Sequence, residues 1–231
     1  MSNNPNFNVN YRHEYGSLFL SAVRRKQNEI LDLILNHPNF DIESIKTEKH
    51  AMTIFAENNN IDALKTLERK IKHFSDKPWF DDFLEIAYKE SYDFIKYFFE
   101  RGNLSSNSVF EGGNTLLLKA ILKEDIEFVK RILEQEDDID HANDCGTTPL
   151  ILATRIENIE IVKLIWEKRP SLDLEDKYRK TAEDYAVRYY NKELIALFKE
   201  FRRIEIEEAY PSEQSEATSG SESDESNERS E

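Results

Sequence analysis

The side chains that most often carry out chemistry are sparse in this chain. Its histidines are His13, His37, His50, His73 and His141. None belongs to an i, i+4 pair with a third ligand, the arrangement that a helical zinc site requires. The single cysteine, Cys145, lies in a turn-rich segment where only His141 is near it in sequence, so we interpret it as a surface turn residue rather than as a nucleophile.

Acidic pairs and glycines do not suggest a catalytic site either. Asp81-Asp82 and Asp137-Asp138 are most simply explained as solvated charges, and none of the six glycines belongs to a phosphate-binding loop. We therefore predict no catalytic residue, no cofactor and no metal ion.

Composition and charge suggest one extended domain. Of the 231 residues, 39% are apolar and 33% charged, which is a high charge content for a compact core. A single cysteine excludes a disulfide framework, and we see neither a signal peptide nor an apolar run of membrane-spanning length. These features predict a cytoplasmic protein, with the nucleus as the alternative, that binds no membrane. We also expect the protein to be monomeric.

The negative charge is concentrated near the end of the sequence. Of the net charge of −15, residues 205–231 contribute −9, from ten acidic residues and one arginine, so the remaining body carries only −6. Residues 204–231 are also rich in serine and poor in apolar residues, so we predict a disordered acidic tail. A mildly negative body does not favour nucleic-acid binding.

An internal repeat with a period of 33 predicts the architecture. Thr115, Thr148 and Thr181 lie one period apart, and an alanine follows each by five residues. Two apolar lanes extend the repeat through the chain with small gaps: Leu31, Leu64, Ile95, Val129, Val162 and Ile195, and then Ile34, Leu67, Phe98, Ile132, Ile165 and Phe198. An i, i+3 apolar pair recurring at this period predicts a stacked-helix solenoid.

The clearest unit begins with the turn-rich residues 143–147. Thr148-Pro149 follows as a helix start, with threonine as the cap and proline at the first helical position. We predict a short helix after Pro149, a break near Glu157, and a second helix that ends before Pro170.

These units resemble ankyrin repeats. The fifth reads Asn143-Asp144-Cys145-Gly146-Thr147-Thr148-Pro149-Leu150, with Ile161-Val162 in its second helix, and the fourth keeps Gly113-Asn114-Thr115-Leu116-Leu117. The resemblance covers about residues 12–203 and implies an all-α solenoid of about six units after a flexible segment 1–11. The units are expected near 12–43, 44–75, 76–109, 110–142, 143–175 and 176–203.

This chain departs from the family pattern at the turn inside each unit. Where relatives have glycine, it has Asn59, Glu124 and Glu157. Because glutamate adopts the left-handed backbone conformation less readily than glycine, we expect strained or rearranged turns there.

The resemblance also implies a function, namely binding another protein on a concave surface formed by the finger tips and the outer helix of each unit. The positions that it selects include Asn114 and Thr147, and those that we single out for partner binding are Trp79, Phe80, Glu111, Lys119, Asp144, Cys145, Leu152, Arg155, Lys177, Tyr178, Lys180 and Arg188. Trp79 has the alternative of packing inward, and Tyr178, Lys180 and Arg188 of being merely solvated. The basic residues favour a partner with an acidic or mixed-charge surface.

As such a binding module the chain would serve as an adaptor, scaffold or regulator. Two alternatives from other classes remain open from the sequence: a structural or self-associating scaffold, and an enzyme or the regulatory subunit of one, with its site between units two and three. A further hypothesis is that the acidic tail folds back on Lys177, Lys180 and Arg188 and competes with the partner.

Overall fold

The computed structural model describes residues 8–13, 16–41, 51–71, 74–76, 80–135 and 138–210. Within these ranges the chain forms helices joined by tight turns, with two very short antiparallel hairpins. The predicted all-α solenoid is therefore confirmed.

The helices follow one another as pairs, and each pair is one unit. The pairs are α1 Leu18–Arg24 and α2 Asn28–Leu35, α3 Ala51–Glu57 and α4 Ile61–Lys70, α5 Phe80–Glu90 and α6 Tyr92–Glu100, α7 Leu116–Leu122 and α8 Ile126–Leu133, α9 Pro149–Arg155 and α10 Ile159–Trp166, and α11 Ala182–Arg188 and α12 Lys192–Ala209. First helices pack on first helices and second helices on second helices, so the units form two parallel layers.

Short hairpins lead into the first helix of two units. Strand β1 Arg12–His13 pairs with β2 Gly16–Ser17, with Arg12 opposite Ser17. Strand β3 Val109–Phe110 pairs with β4 Asn114–Thr115, with Val109 opposite Thr115. A 3₁₀ turn at Glu111–Gly113 forms the tip of the second hairpin, and another 3₁₀ turn lies at Phe74–Asp76.

The repeated threonines begin the first helices as the sequence predicted. Thr115, Thr148 and Thr181 have extended backbones, and each hydroxyl accepts a hydrogen bond from the backbone N–H three residues later. At Thr181 a reciprocal bond completes a capping box, because the Asp184 carboxylate accepts the backbone N–H of Thr181. A hydroxyl cap of this kind satisfies a backbone donor that the helix itself leaves without a partner.

The turns inside the units have the expected left-handed geometry. Asn59, Glu124 and Glu157 have φ of 49°, 53° and 57°, and Lys26 and Tyr190 share this geometry. The two glutamates also link neighbouring units, because each side chain accepts a hydrogen bond from the amide of the asparagine that caps the next second helix. Asn158 donates to Glu124 at 3.0 Å and Asn191 to Glu157 at 2.8 Å. This bond offsets part of the backbone cost of a glutamate at a glycine position.

The two apolar lanes form the centre of the core. Eleven of their twelve side chains are buried, and Ile195, in the last second helix, is partly buried. Aromatic residues make up much of the third unit, where Phe80, Phe83, Phe94, Phe98 and Phe99 are all buried. Phe98 meets both Phe80 and Phe83 edge-on, at ring-centroid distances of 5.3 and 5.8 Å.

The last helix is longer than the sequence predicted. Helix α12 continues to Ala209, so residues 204–209 belong to the stack rather than to a tail. Its ring at Phe201 stacks on Trp166 at 4.0 Å and covers the end of the fifth unit. The rest of the predicted disordered tail, residues 211–231, and the segment 1–7 lie outside the described residues.

Candidate functional site

The concave side of the last four units contains a groove of about 290 Å³. The floor is formed by the first helices and one wall by the fingers, the loops that precede those helices. We call this the concave groove, and its lining residues are Tyr88, Asn114, Leu118, Lys119, Leu122, Asn143, Cys145, Thr147, Leu152, Arg155, Asp176, Lys177 and Tyr178.

Backbone hydrogen bonds hold the three fingers against each other. Asp144 donates its N–H to the Gly112 carbonyl at 2.9 Å, and Lys177 donates to the Cys145 carbonyl at 2.9 Å. The fifth and sixth fingers can approach this closely because residue 146 is a glycine. A Cβ on Gly146, which has φ 72°, would lie only 2.9 Å from the Asp176 Cα. The fingers therefore form a continuous edge that fixes the spacing of the side chains above it.

Two side chains one period apart shape the fingers from inside. The Asn143 Oδ1 accepts the backbone N–H groups of Cys145 and Thr147, both at 3.0 Å. In the next finger the Asp176 Oδ1 accepts the N–H groups of Tyr178 at 2.8 Å and Lys180 at 3.2 Å. The second oxygen of Asp176 accepts the Tyr185 hydroxyl at 2.5 Å, which ties the sixth finger to helix α11.

Burial and hydrogen bonding shift the pKa values of this pair in opposite directions. Burial and the hydrogen bond to Asp176 raise the pKa of Tyr185 to about 12, so its hydroxyl stays a donor. For Asp176, burial opposes the charged form, but the hydrogen bonds from Tyr185, Tyr178 and Lys180 prevail and lower its pKa below the usual range. Asp176 is therefore an ionised structural carboxylate whose two oxygens already accept three hydrogen bonds.

Three cations in the groove lie over aromatic rings. The Lys119 Nζ is 4.7 Å from the Tyr88 ring centroid, and the Lys177 Nζ is 5.2 Å from that of Tyr178. The Arg155 guanidinium is 5.4 Å from the Tyr185 ring, at the level of Asp176. Partial burial, with the Lys123 charge nearby, lowers the pKa of Lys119.

These cations form no ion pair with any carboxylate in the part of the chain that the structure describes. On the second helices, by contrast, Lys96 pairs with Asp125 at 2.6 Å and Arg131 with Glu100 at 2.8 Å. The concave groove is thus a cationic and aromatic surface on a protein of net negative charge.

Cys145 and Lys177 are in direct contact at the finger edge. The Lys177 Nζ donates to the Cys145 Sγ at 3.3 Å, and this bond raises the pKa of Lys177. Cys145 is part-exposed, as the turn position predicted.

The structure brings together six of the twelve residues that the sequence selected. Lys119, Cys145, Leu152, Arg155, Lys177 and Tyr178 all line the groove. Four others lie outside the lining: Glu111 pairs with Lys89, Asp144 and Arg188 are exposed, and Lys180 is part-buried.

Phe80 is a correction, and Trp79 lies outside the described residues. Phe80 is only 4% exposed and packs edge-on against Phe98, because α5 begins at this residue and directs the ring inward. It is therefore a core residue rather than a partner contact.

Sequence reasoning missed Tyr88, Leu118, Leu122, Asn143 and Asp176 as groove residues. The period alone would have found one of them, because Leu122 lies 33 residues before Arg155, as Lys119 lies 33 before Leu152. Tyr88 belongs to a unit that has lost the repeat motif, so no comparable signal pointed to it. Its position follows from the third unit's long first helix, which carries it to the Thr115 carbonyl at 3.3 Å.

Among the residues that the structure describes, no group of three histidine, cysteine, aspartate or glutamate side chains is arranged to hold a metal ion. No described helix has both the length and the apolar character needed to cross a membrane.

Comparisons with known proteins agree with this architecture. Residues 116–207 match a family model described as ankyrin repeats in three copies. Among solved structures, the ankyrin repeat domain of Bcl-3, described as a unique member of the IkappaB protein family, superposes with a TM-score of 0.54 at 15% sequence identity. That match covers 77% of this chain and 81% of the Bcl-3 chain. No curated protein matches the sequence.

Proposed function

Because this chain is an ankyrin-repeat protein, we propose that it binds another protein, without catalysis of its own, through the concave groove of its last four units. Ankyrin repeats are in general protein–protein interaction modules. The observation that carries the proposal is the set of cations held over aromatic rings in the groove, none of which forms a salt bridge in the described structure.

The groove has the residue types that dominate binding energy at protein interfaces. Arginine and tyrosine are enriched among hot spots, and Tyr178 is 64% exposed at the finger tip beside Lys177. Leu122, 59% exposed on α7, adds apolar area at the groove's edge. A partner with acidic groups next to apolar or aromatic side chains would match both features.

The polar groups in the groove also explain why binding is proposed rather than catalysis. The side-chain oxygens of Asp176 and Asn143 already accept hydrogen bonds from the backbone of their own fingers. Burial raises the pKa of Tyr88 to about 12, which makes its hydroxyl a poor base near neutral pH. The groove thus offers fixed charge and surface area rather than a group positioned to transfer a proton.

The test is affinity capture with the full chain as bait, followed by identification of retained proteins by mass spectrometry. The variant Arg155→Ala with Tyr178→Ala removes one cation and one ring from the groove. Loss of two hot-spot side chains is expected to weaken partner affinity by roughly 30-fold or more. Circular dichroism checks that the fold is kept.

The matched control removes the same residue types elsewhere. Arg203→Ala with Tyr210→Ala changes exposed side chains of the last helix and its end, neither of which lines the groove. A partner lost with the groove variant and kept with the control supports the proposal. If both variants lose the partner equally, or if neither does, the concave groove is not the binding surface.

A further inference from the structure

The concave groove has an acidic counterpart within the same sequence. Residues 211–231, which we call the acidic segment, contain seven acidic residues and one arginine. The groove presents Lys119, Arg155 and Lys177 without a salt bridge in the described structure, and the one groove carboxylate near Arg155, Asp176, is held by the backbone of its own finger. Charge complementarity of this kind guides weak, loosely specific contacts to one surface.

The described chain ends close to the fingers. The Arg169 guanidinium pairs with Glu208, in the last turn of α12, at 2.6 Å. From Arg169 the chain runs directly into the sixth finger, and the eight residues to Lys177 span at most about 28 Å. Asp173, on this same path, is 2.6 Å from Arg202 of α12. The end of the described chain therefore lies within a limited distance of the sixth finger, which forms part of the groove wall.

The length of the segment is sufficient to reach the groove. Its 21 residues can span at most about 70 Å, which is more than twice the limit of about 28 Å between Arg169 and Lys177. A tether of this length gives an effective concentration of about 1 mM, which a separate acidic protein rarely attains in solution. The segment of the same chain is thus favoured over an unlinked acidic partner as the resting occupant.

We propose that the acidic segment 211–231 occupies the concave groove of its own molecule and competes there with the protein partner. This inference rests on the proposed function, because it concerns regulation of the same surface. A partner must then displace the segment, and its apparent affinity falls by the fraction of molecules whose groove is covered.

The chain contains a natural reporter of groove coverage, because its only cysteine lies in the groove. Cys145 is part-exposed, so its rate of alkylation by an uncharged maleimide measures access to the groove. The native full chain is compared with a full-length variant in which the seven acidic residues become glutamine or asparagine. Those residues are Glu213, Glu216, Glu222, Asp224, Glu225, Glu228 and Glu231.

The neutralised variant is expected to react roughly tenfold faster at low salt. This ratio corresponds to a local dissociation constant of about 0.1 mM at an effective concentration of about 1 mM. The difference should vanish near 0.5 M salt, where the screening length is about 4 Å. It should also shrink towards unity when Lys119→Gln and Arg155→Gln are introduced into both chains. Lys177 is left unchanged because its Nζ contacts the thiol.

The matched control moves the cysteine to the opposite face. In a Cys145→Ser chain, Lys163→Cys places a thiol at an exposed position on α10, and its rate should not depend on the acidic segment. The inference is overturned by equal Cys145 rates in the native and neutralised chains, by a difference that survives high salt, or by an equal effect at residue 163. Protection that rises with protein concentration would also overturn it, because the segment would then act between molecules.

Failure of this inference and failure of the proposed function have different signatures. If only the inference fails, Cys145 reacts alike in both chains while the Arg155→Ala, Tyr178→Ala variant still loses the partner. If only the proposed function fails, the segment still protects Cys145, but the Arg155→Ala, Tyr178→Ala variant captures the partner as well as the native chain does.

Discussion

Asp176 is the side chain on which the sixth finger most depends. It is 5% exposed, and it accepts two backbone N–H groups and the Tyr185 hydroxyl. Hydrogen bonds to an ionised acceptor each contribute about 1.5–3 kcal/mol when buried. Asn143 makes the same two backbone contacts in the preceding finger without a charge, and the contact that Asp176 adds is the one with Tyr185.

The lowered pKa of Asp176 predicts a specific acid dependence of stability. Because the folded pKa lies below the unfolded value, the ionised group stabilises the fold above the unfolded pKa. That contribution is lost as the pH falls through the folded pKa. Asp176→Asn should lower the free energy of unfolding by about 1–2 kcal/mol at pH 7 and by clearly less at pH 3. Urea denaturation at both pH values measures this difference.

The exposed Asp144→Asn serves as the control, with little change at either pH. A cost of Asp176→Asn that is the same at pH 3 and pH 7 would contradict a role for the charge.

The left-handed residues of the turns provide a second prediction at this scale. Tyr190 has φ 55° and is 86% exposed, so Tyr190→Gly removes backbone strain without loss of packing and should raise the free energy of unfolding by about 1 kcal/mol. Glu157→Gly should gain less, because it also removes the acceptor for the Asn191 amide. Urea denaturation midpoints, compared at unchanged m-value, measure the change in the free energy of unfolding for both variants. A larger increase for Glu157→Gly than for Tyr190→Gly would show that the bond between Glu157 and Asn191 contributes nothing to stability.

At the scale of elements, the repeat predicted where the helices lie better than it predicted which side chains are exposed for partner contact. The period located the threonine caps, the two core lanes and the left-handed turns, because each follows from local backbone chemistry repeated at 33 residues. It did not reveal that Phe80 is buried, since the third unit keeps no finger motif and a longer first helix turns that ring inward.

The end of helix α12 was missed for a different reason. Its acidic composition after residue 203 predicted a tail, but the acidic side chains are neutralised by the helix itself and its neighbour. Arg202 pairs with Glu205, Arg203 with Glu207, and Arg169 with Glu208. Pairs spaced three and four residues apart support a helix where composition alone suggests disorder.

Helix α12 also covers the end of the stack, so we expect removal of the Phe201 ring to lower the stability of the fold strongly. Phe201 is 3% exposed and stacks on Trp166 at 4.0 Å, so Phe201→Ala should cost about 3–4 kcal/mol and expose the indole. In a Trp79→Phe background, fluorescence then reports Trp166 alone. The emission maximum should shift to longer wavelength in Phe201→Ala and much less in the control Phe201→Leu. An unshifted maximum in the alanine variant would show that α12 does not shield the fifth unit.

At the scale of the whole molecule, the third and fourth units are joined mainly by aromatic side chains. Phe128 of α8 meets Phe99 at 5.4 Å and Tyr92 at 5.9 Å, both edge-on and both from α6. Tyr88 of α5 stacks on Phe110 at 4.1 Å. The family match begins at residue 116, so this junction separates the part that the family model matches from the part that it does not match.

A solenoid is stabilised by each unit and by each contact between neighbours, so weakening one junction can divide its unfolding into two steps. Phe128 is 1% exposed and is the shared ring of the junction, so Phe128→Ala should cost about 3–4 kcal/mol and uncouple the two halves. In a Trp79→Phe chain, Trp166 fluorescence follows the last units while far-UV circular dichroism follows all helices. The two urea transitions should coincide in the parent chain and separate in the variant, with the fluorescence midpoint at the higher urea concentration.

The control is Phe198→Ala, which removes an equally buried ring within the last unit and should instead lower the fluorescence midpoint. Coincident transitions in Phe128→Ala would mean that the junction does not limit cooperativity, and that groove residues on both sides of it, such as Tyr88 and Lys119, stay in register without the Phe128 ring.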